Sequence, residues 1–250
     1  QLARDLGRHP RADIHLRDVA VADGGAAPEA VPASPAVATL ADRGVLSVSG
    51  EDARTFLQGL ISNDINKVTP DRAIHAALLT PQGKYLHDFF IVQAPDGRLL
   101  IDCERERLPD LQKRLKMFKL RAKADLDDVS DDWTVVALPG TDGSAGLGLG
   151  DDAGMAKATD GGGVAYVDPR LSAMGARAIL PAASADAFVA GLKGETDRTA
   201  YDRLRLSLGL PDGTRDMIVD KSILLESGFD ELNGVDWNKG CYMGQELTAR

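Results

Sequence analysis

Residues 73–103 hold three apolar runs cut by two short turn sequences, and they constrain the fold more than any other stretch. Residues 73–80 and 85–93 are separated by Pro81-Gln82-Gly83-Lys84, and Pro95-Asp96-Gly97 leads into 98–103. Proline presets the backbone angle that a turn needs, and glycine reaches left-handed conformations without steric cost. Runs and loops of these lengths predict three neighbouring strands at hairpin spacing, hence a largely antiparallel sheet.

The flanking sequence predicts what covers that sheet. Residues 44–50 read as a short strand bounded by glycines. Residues 51–61 read as a helix, with Phe56, Leu57, Leu60 and Ile61 at helical spacing and Ser49 as its candidate cap. Residues 108–120 predict a second helix with Leu108, Leu111, Leu115 and Phe118 on one face. Its other face is basic, with Lys113, Arg114, Lys116, Lys119, Arg121 and Lys123. That face is either simply solvated or attracts a polyanion. The acidic run Asp125, Asp127, Asp128, Asp131 and Asp132 follows at once and reads as its counterweight.

Further strands are predicted at 133–138, 164–167 and 176–180, and helices at 183–192 and 196–209, the last capped by Thr196. Residues 140–163 are glycine- and acid-rich without a clear period. Gly146-Leu147-Gly148-Leu149-Gly150 lacks the spacing and the strand–turn–helix context of a nucleotide loop. Strands mixed with helices in this order give an α+β class. The sequence shows no internal repeat. Residues 1–35 read as a flexible extension, because 21–35 is almost entirely Ala, Gly, Pro, Val and Ser.

The 250 residues are 44% hydrophobic and 27% charged, as in ordinary globular proteins. Lys and Arg number 29 against 38 Asp and Glu, a net charge of −9. That balance argues against broad nucleic-acid binding, which draws on a basic surface. No run approaches the eighteen or so apolar residues of a membrane span. The two cysteines, Cys103 and Cys241, suit a reducing compartment. Asp5, Asp13 and Asp18 argue against an organellar leader, so the sequence reads as cytoplasmic.

One segment carries chemistry. In Lys239-Gly240-Cys241-Tyr242-Met243-Gly244-Gln245-Glu246 the thiol lies between two glycines and near a lysine. Glycine permits unusual backbone angles and close approach of another molecule. A neighbouring cation favours thiolate, the form that attacks electrophiles and binds metal. The plain alternative is a buried cysteine acting as a small apolar side chain. Lys239 is likewise either a cation that activates the thiol or a surface lysine. Gln245 and Glu246 orient the loop or cap the next helix. Trp237 stacks on a planar ligand or sits in the core, where tryptophan is more often found. Cys103, His9, His15, His75 and His87 show no metal-ligand spacing.

This octapeptide resembles the signature of the YgfZ-type folate-binding proteins. They are relatives of the glycine-cleavage T-protein that act in iron–sulfur protein maturation, and their mitochondrial members serve late 4Fe–4S assembly. Residues 56–65, with Asn63-Asp64, resemble the family's early helix and turn, and 78–84 its first strand and turn. Residues 204–206 through 220–221, then 225–230, resemble the approach to the cysteine motif. The resemblance covers about residues 36–250. It implies a ring of two α/β lobes and a C-terminal β-barrel. In this chain it implies a first lobe at 36–125, a second at 126–200, a return segment at 201–250, and no barrel after it.

The same resemblance implies the site. Cys241 is the family's functional thiol, a transient iron or cluster ligand or a redox-active group. An iron–sulfur cluster normally takes four protein ligands, so the others would come from a partner, an A-type iron–sulfur carrier or a client protein. Tetrahydrofolate is the implied cofactor. Glu226 matches the relatives' pterin-contacting glutamate, Asn63 and Asp64 match the turn lining the same pocket, and the motif positions Lys239, Gly240, Gln245 and Glu246 complete the set. The plain alternatives are a helix cap for Asn63 or Asp64 and a solvated charge for Glu226. A folate polyglutamate tail or an acidic partner would suit the basic helix face. The aminomethyltransferase relatives carry paired aspartates after a Gly-Gly turn. Here the stretch is Gly83-Lys84-Tyr85-Leu86-His87-Asp88, so Asp88 alone keeps an acid–base role. The main reading is an accessory protein, and the rival is a folate-dependent aminomethyl or C1 transferase.

Overall fold

A computed structural model describes residues 36–192, 194 and 197–248. Its first half contains strand β1 (Ala38–Thr39), β2 (Arg43–Ser49), helix α1 (Ala53–Gln58), β3 (Ile74–Leu79), β4 (Tyr85–Gln93), β5 (Leu99–Glu104), α2 (Leu108–Lys119) and β6 (Asp125–Asp128). Then come β7 (Trp133–Pro139), α3 (Thr141–Gly146), β8 (Ala156–Ala158), β9 (Val164–Val167), β10 (Gly175–Pro181), α4 (Ala182–Gly191), α5 (Arg198–Ser207) and the last turn α6 (Gln245–Thr248). The strands form two sheets, ordered β3-β4-β5-β2-β6 and β1-β7-β10-β9-β8. Every strand pair in them is antiparallel. Both turns of the 73–103 stretch place glycine at positive φ, Gly83 at 76° and Gly97 at 90°.

The central strands are apolar on both faces because each sheet is covered twice. In β4, Phe89 and Ile91 face a core built with Phe56 and Leu57 of α1 and Leu111 and Leu115 of α2. Phe90 and Val92 face the opposite way, into a core shared with Val135, Tyr166 and Ile179 of the second sheet. The second sheet's other face, with Val136, Leu138 and Ala178, packs on Ala185 and Phe188 of α4. The layers therefore run helix, sheet, sheet, helix. Each Leu, Ile or Phe buried between them stabilises the fold by roughly 1.5–3 kcal/mol. The return segment packs Met217, Leu224, Phe229 and Tyr242 against Ala77, Leu79 and Tyr85 at one end of the first sheet. Among the described residues no helix is long and apolar enough to cross a membrane.

Three local expectations differ from the structure, and a fourth falls outside the described residues. The acidic run is also the edge strand β6, paired with β2 through Leu46–Asp128 and Val48–Leu126. Only Leu126 of β6 is buried, so the segment has no apolar period to read, and its outward charges discourage pairing with a further chain. The first helix is shorter than 51–61, and Ser49 does not cap it. Asp52 stands at its start and accepts the Lys123 N–H at 2.8 Å. The stretch 140–163 contains α3 and β8. The last long helix is described from Arg198, and its predicted cap Thr196 lies outside the described residues.

Candidate functional site

Residues 236–244 form a loop laid against the end of α1 and pinned to it at three points. The Asp236 N–H donates to the Ser62 carbonyl and the Met243 N–H to the Gly59 carbonyl, both at 3.1 Å. Between them the Lys239 ammonium donates to the carbonyls of Gln58 at 2.9 Å, Ile61 at 2.5 Å and Asn63 at 2.8 Å. The Gln58 carbonyl is one that the helix end leaves without a partner in the helix, Ile61 and Asn63 lie in the turn beyond, and the three ammonium protons match the three acceptors. Burial pulls the Lys239 pKa down to about 8 against the opposing carboxylates of Asp64 and Asp236, so the side chain keeps its charge at neutral pH. Its reach goes to α1 and the turn that follows, and it fastens the loop.

The pins leave one side of the loop outward. Cys241 is exposed, as are Gly240, Asn238 and Trp237. A Cβ added at Gly240 would meet nothing within 4 Å. Gly244 differs, with φ +83° and the Thr80 carbonyl oxygen 2.5 Å from where its Cβ would lie. Tyr242 points inward, and its N–H donates to the Gln245 Oε1 at 3.2 Å. Gln245 therefore orients the motif from the start of α6, while Glu246 is exposed. The core placement of Trp237 is corrected: the residue is 51% exposed, and its indole N–H donates to Asp230 at 2.6 Å. A satisfied polar edge allows the ring to stay at the surface. Among the described residues no three His, Cys, Asp or Glu side chains converge as a metal site.

The other predicted residues are placed as follows. Asn63 is buried; its Nδ2 donates to the carbonyls of His75 and Asn233, each at 2.8 Å, and ties the return segment to β3. Asp64 caps the next short turn, accepting from the Asn66 N–H at 2.9 Å. Asp88 is buried between the sheets; it accepts from the Tyr85 hydroxyl at 2.7 Å, and its second oxygen is 3.9 Å from His75 Nε2. Burial alone would raise its pKa, but His75, Arg43 and Tyr85 outweigh that and hold it at about 2. A general base for neutral pH needs a pKa much nearer neutrality, so this carboxylate is poorly tuned for proton abstraction. His87, next along β4, faces the other way, 2.9 Å from Asp110 of α2.

Glu226 sits on a single turn at Leu225–Ser227. It lines an open groove of about 690 Å³ with Leu206, Leu210, Met217, Leu225 and Leu232. Asn63, Asp64, Asp88 and Cys241 are not among the residues lining that groove. The structure thus joins Lys239 and Asn63 through the loop's pins, sets Glu226 in a groove that neither of them lines, and places Asp88 near His75, whose carbonyl Asn63 binds.

The charged centre between the sheets was not anticipated. Asp102 of β5 accepts from Arg43 Nε at 2.6 Å and from Arg177 Nη2 of β10 at 2.6 Å. Tyr166 adds its hydroxyl at 3.2 Å. The guanidiniums of Arg177 and Arg170 lie 4.5 Å and 5.0 Å from the centre of the Phe90 ring. Arg170 pairs with Asp168 at 2.8 Å. The available signal was a charge interrupting an apolar strand, as in Leu99-Leu100-Ile101-Asp102 and Ala176-Arg177-Ala178-Ile179.

Residues 28–148 match the family described as GCVT N-terminal domain. A Mycosarcoma maydis protein named iron–sulfur cluster assembly factor IBA57 homolog, mitochondrial, is 35% identical over 226 residues, 86% of this chain and 53% of that protein. The Neurospora crassa protein of the same name is 34% identical over 225 residues, 84% and 49% of the two. The chain spans about half the length of these curated relatives. Among solved structures, glycine cleavage system aminomethyltransferase T from Bartonella henselae superposes with a TM-score of 0.60 at 17% identity, over 71% of this chain and 52% of that one, a likeness of fold. The cytoplasmic reading is overturned by the relatives, which are named as mitochondrial. It rested on low cysteine use, which fits any reducing interior, and on Asp5, Asp13 and Asp18, which lie outside the described residues. In sequence and in fold, the chain belongs to the T-protein-like family that includes the iron–sulfur cluster assembly factors.

Proposed function

We propose that this chain is a tetrahydrofolate-binding accessory protein of iron–sulfur cluster assembly, with Cys241 as a thiol that shares a cluster with a partner. The observation that carries the reading is the exposed Cys241 on a loop fastened by Lys239 and by the Asp236 and Met243 amides. A fixed, outward thiol can enter another protein's coordination sphere without a rearrangement of its own backbone. One thiolate supplies one of the four ligands a cluster normally takes. The remaining ligands then belong to an A-type carrier or a client, and the cluster is cargo. The relatives' names support this assignment.

Folate binding has one local support. The Glu226 groove offers a carboxylate beside the apolar walls of Leu206, Met217, Leu225 and Leu232, the combination a pterin edge and ring require. Aminomethyl transfer has less, since Asp88 is buried and held ionised far below neutrality.

One set of proteins tests both halves. In a strain lacking the endogenous protein, wild type should restore 4Fe–4S enzyme activity and Cys241→Ser should not, at equal protein level. Full rescue by the serine variant would remove the thiol from the function. Tetrahydrofolate calorimetry on the same purified proteins should show at least roughly tenfold weaker binding for Glu226→Ala. Unchanged affinity would move the ligand out of the groove.

A further inference from the structure

The end of α2 exposes three large apolar side chains close together in sequence, Met117 at 65%, Phe118 at 41% and Leu120 at 90%. Leu120 ends the helix at φ 44° and ψ −106°, a conformation that a bulky side chain resists and glycine would take freely. The segment's cations are only half neutralised. Arg114 pairs with Asp110 at 2.7 Å, Lys119 with Asp125 at 3.6 Å and Lys123 with Glu51 at 2.8 Å. Among the described residues, Lys113, Lys116 and Arg121 form no ion pair, so neighbouring β6 leaves this end of the helix basic. An apolar centre containing Phe and Met, rimmed by unpaired cations, has the make-up of a protein interface. Its complement is an acidic surface with an apolar centre.

The patch lies at the other end of the helix that carries the cysteine loop. The Lys123 N–H is bonded to Asp52 at the start of α1, and Lys239 holds the Gln58 carbonyl at its end. Ala122 and Met243, one from each side, pack on the same core. Six residues of helix span only about 9 Å, well within the footprint of one protein partner.

We propose that the α2 end is the docking surface for an acidic protein partner, the one that meets Cys241. This rests on the reading of Cys241 as a shared cluster ligand. Phe118 and Leu120 supply the apolar anchor, and Lys113, Lys116 and Arg121 steer the approach.

The test titrates the cluster-loaded A-type carrier into the whole chain by calorimetry. The Lys116→Glu, Arg121→Glu double variant should bind at least roughly tenfold more weakly at unchanged melting temperature, and added salt should weaken the wild type toward it. Leu120→Gly should also weaken binding, without loss of fold. Cys241→Ser should still dock but fail to hold the cluster. If both patch variants bind like wild type while Cys241→Ser loses the cluster, the docking surface is refuted and the thiol's role stands. If wild type does not bind the carrier, the docking surface is refuted, while the thiol's role is decided separately by the rescue with Cys241→Ser. If wild type instead binds phosphatidylserine vesicles through Leu120 and ignores the carrier, the patch is a membrane contact and the proposal is overturned.

Discussion

Gly244 holds φ +83°, with a backbone oxygen where a side chain would begin, whereas Gly240 meets open space. The two glycines flanking Cys241 therefore answer different demands. Alanine at 244 must displace the Thr80 carbonyl and adopt a left-handed backbone, at a cost of roughly 2–3 kcal/mol. Alanine at 240 should change stability by no more than about 0.5 kcal/mol. We expect Gly244→Ala to lower the melting temperature and Gly240→Ala to leave it unchanged; on the proposed reading of Cys241, the Gly240→Ala methyl group would also crowd a partner at the thiol and weaken cluster sharing. Equal melting temperatures for the two variants would contradict this division. The octapeptide made the cysteine legible, and its glycines hinted at backbone demands. The work of Lys239 was not legible, because its acceptors lie 176 to 181 residues away in the chain.

Along β4 the side chains alternate, and two adjacent titratable groups enter different environments. Asp88 turns toward the second sheet and His87 toward α2. Burial, helped by Arg107, pulls the His87 pKa from 6.5 to about 4 despite Asp110, so the ring is neutral at neutral pH and its Nε2–H donates to Asp110. The unfolded chain then binds the extra proton first. Stability from this residue is complete above pH 6.5 and declines as pH falls from 6.5 to 4, by up to roughly 3 kcal/mol. Asp88 acts in a separate window, from its ordinary 3.8 down to about 2. In urea unfolding across pH, His87→Gln should flatten the slope between pH 6.5 and 4 and leave the steeper loss below it. An unchanged slope would mean that the ring titrates normally in the folded state. Sequence located β4 and its turns correctly, because apolar period and glycine placement are local signals. It described β6 only as an acidic run, since one buried leucine among aspartates leaves no pattern.

At the scale of the molecule, Asp102 joins the sheets. It lies on β5 of one and receives Arg177 from β10 of the other, with Arg43 closing the third side. Burial alone would raise its pKa, but the two guanidiniums keep it ionised. Such a junction links strands that meet only in the fold, so the sequence showed it as isolated charges in apolar strands. Its energetics follow from desolvation. Two buried cations sharing one carboxylate are tolerable together, and among the described residues removing the carboxylate leaves Arg177 without an ion pair and Arg43 with only Asp212, at 3.8 Å. Asp102→Asn should therefore cost about 3–5 kcal/mol in denaturant unfolding. Replacing the three charges at once, Arg43→Met, Asp102→Leu and Arg177→Met, should cost less than that single change, since no charge then remains buried without a partner. If the triple variant is the less stable of the two, the ion triad contributes net attraction across the sheets, beyond cancelling its own burial.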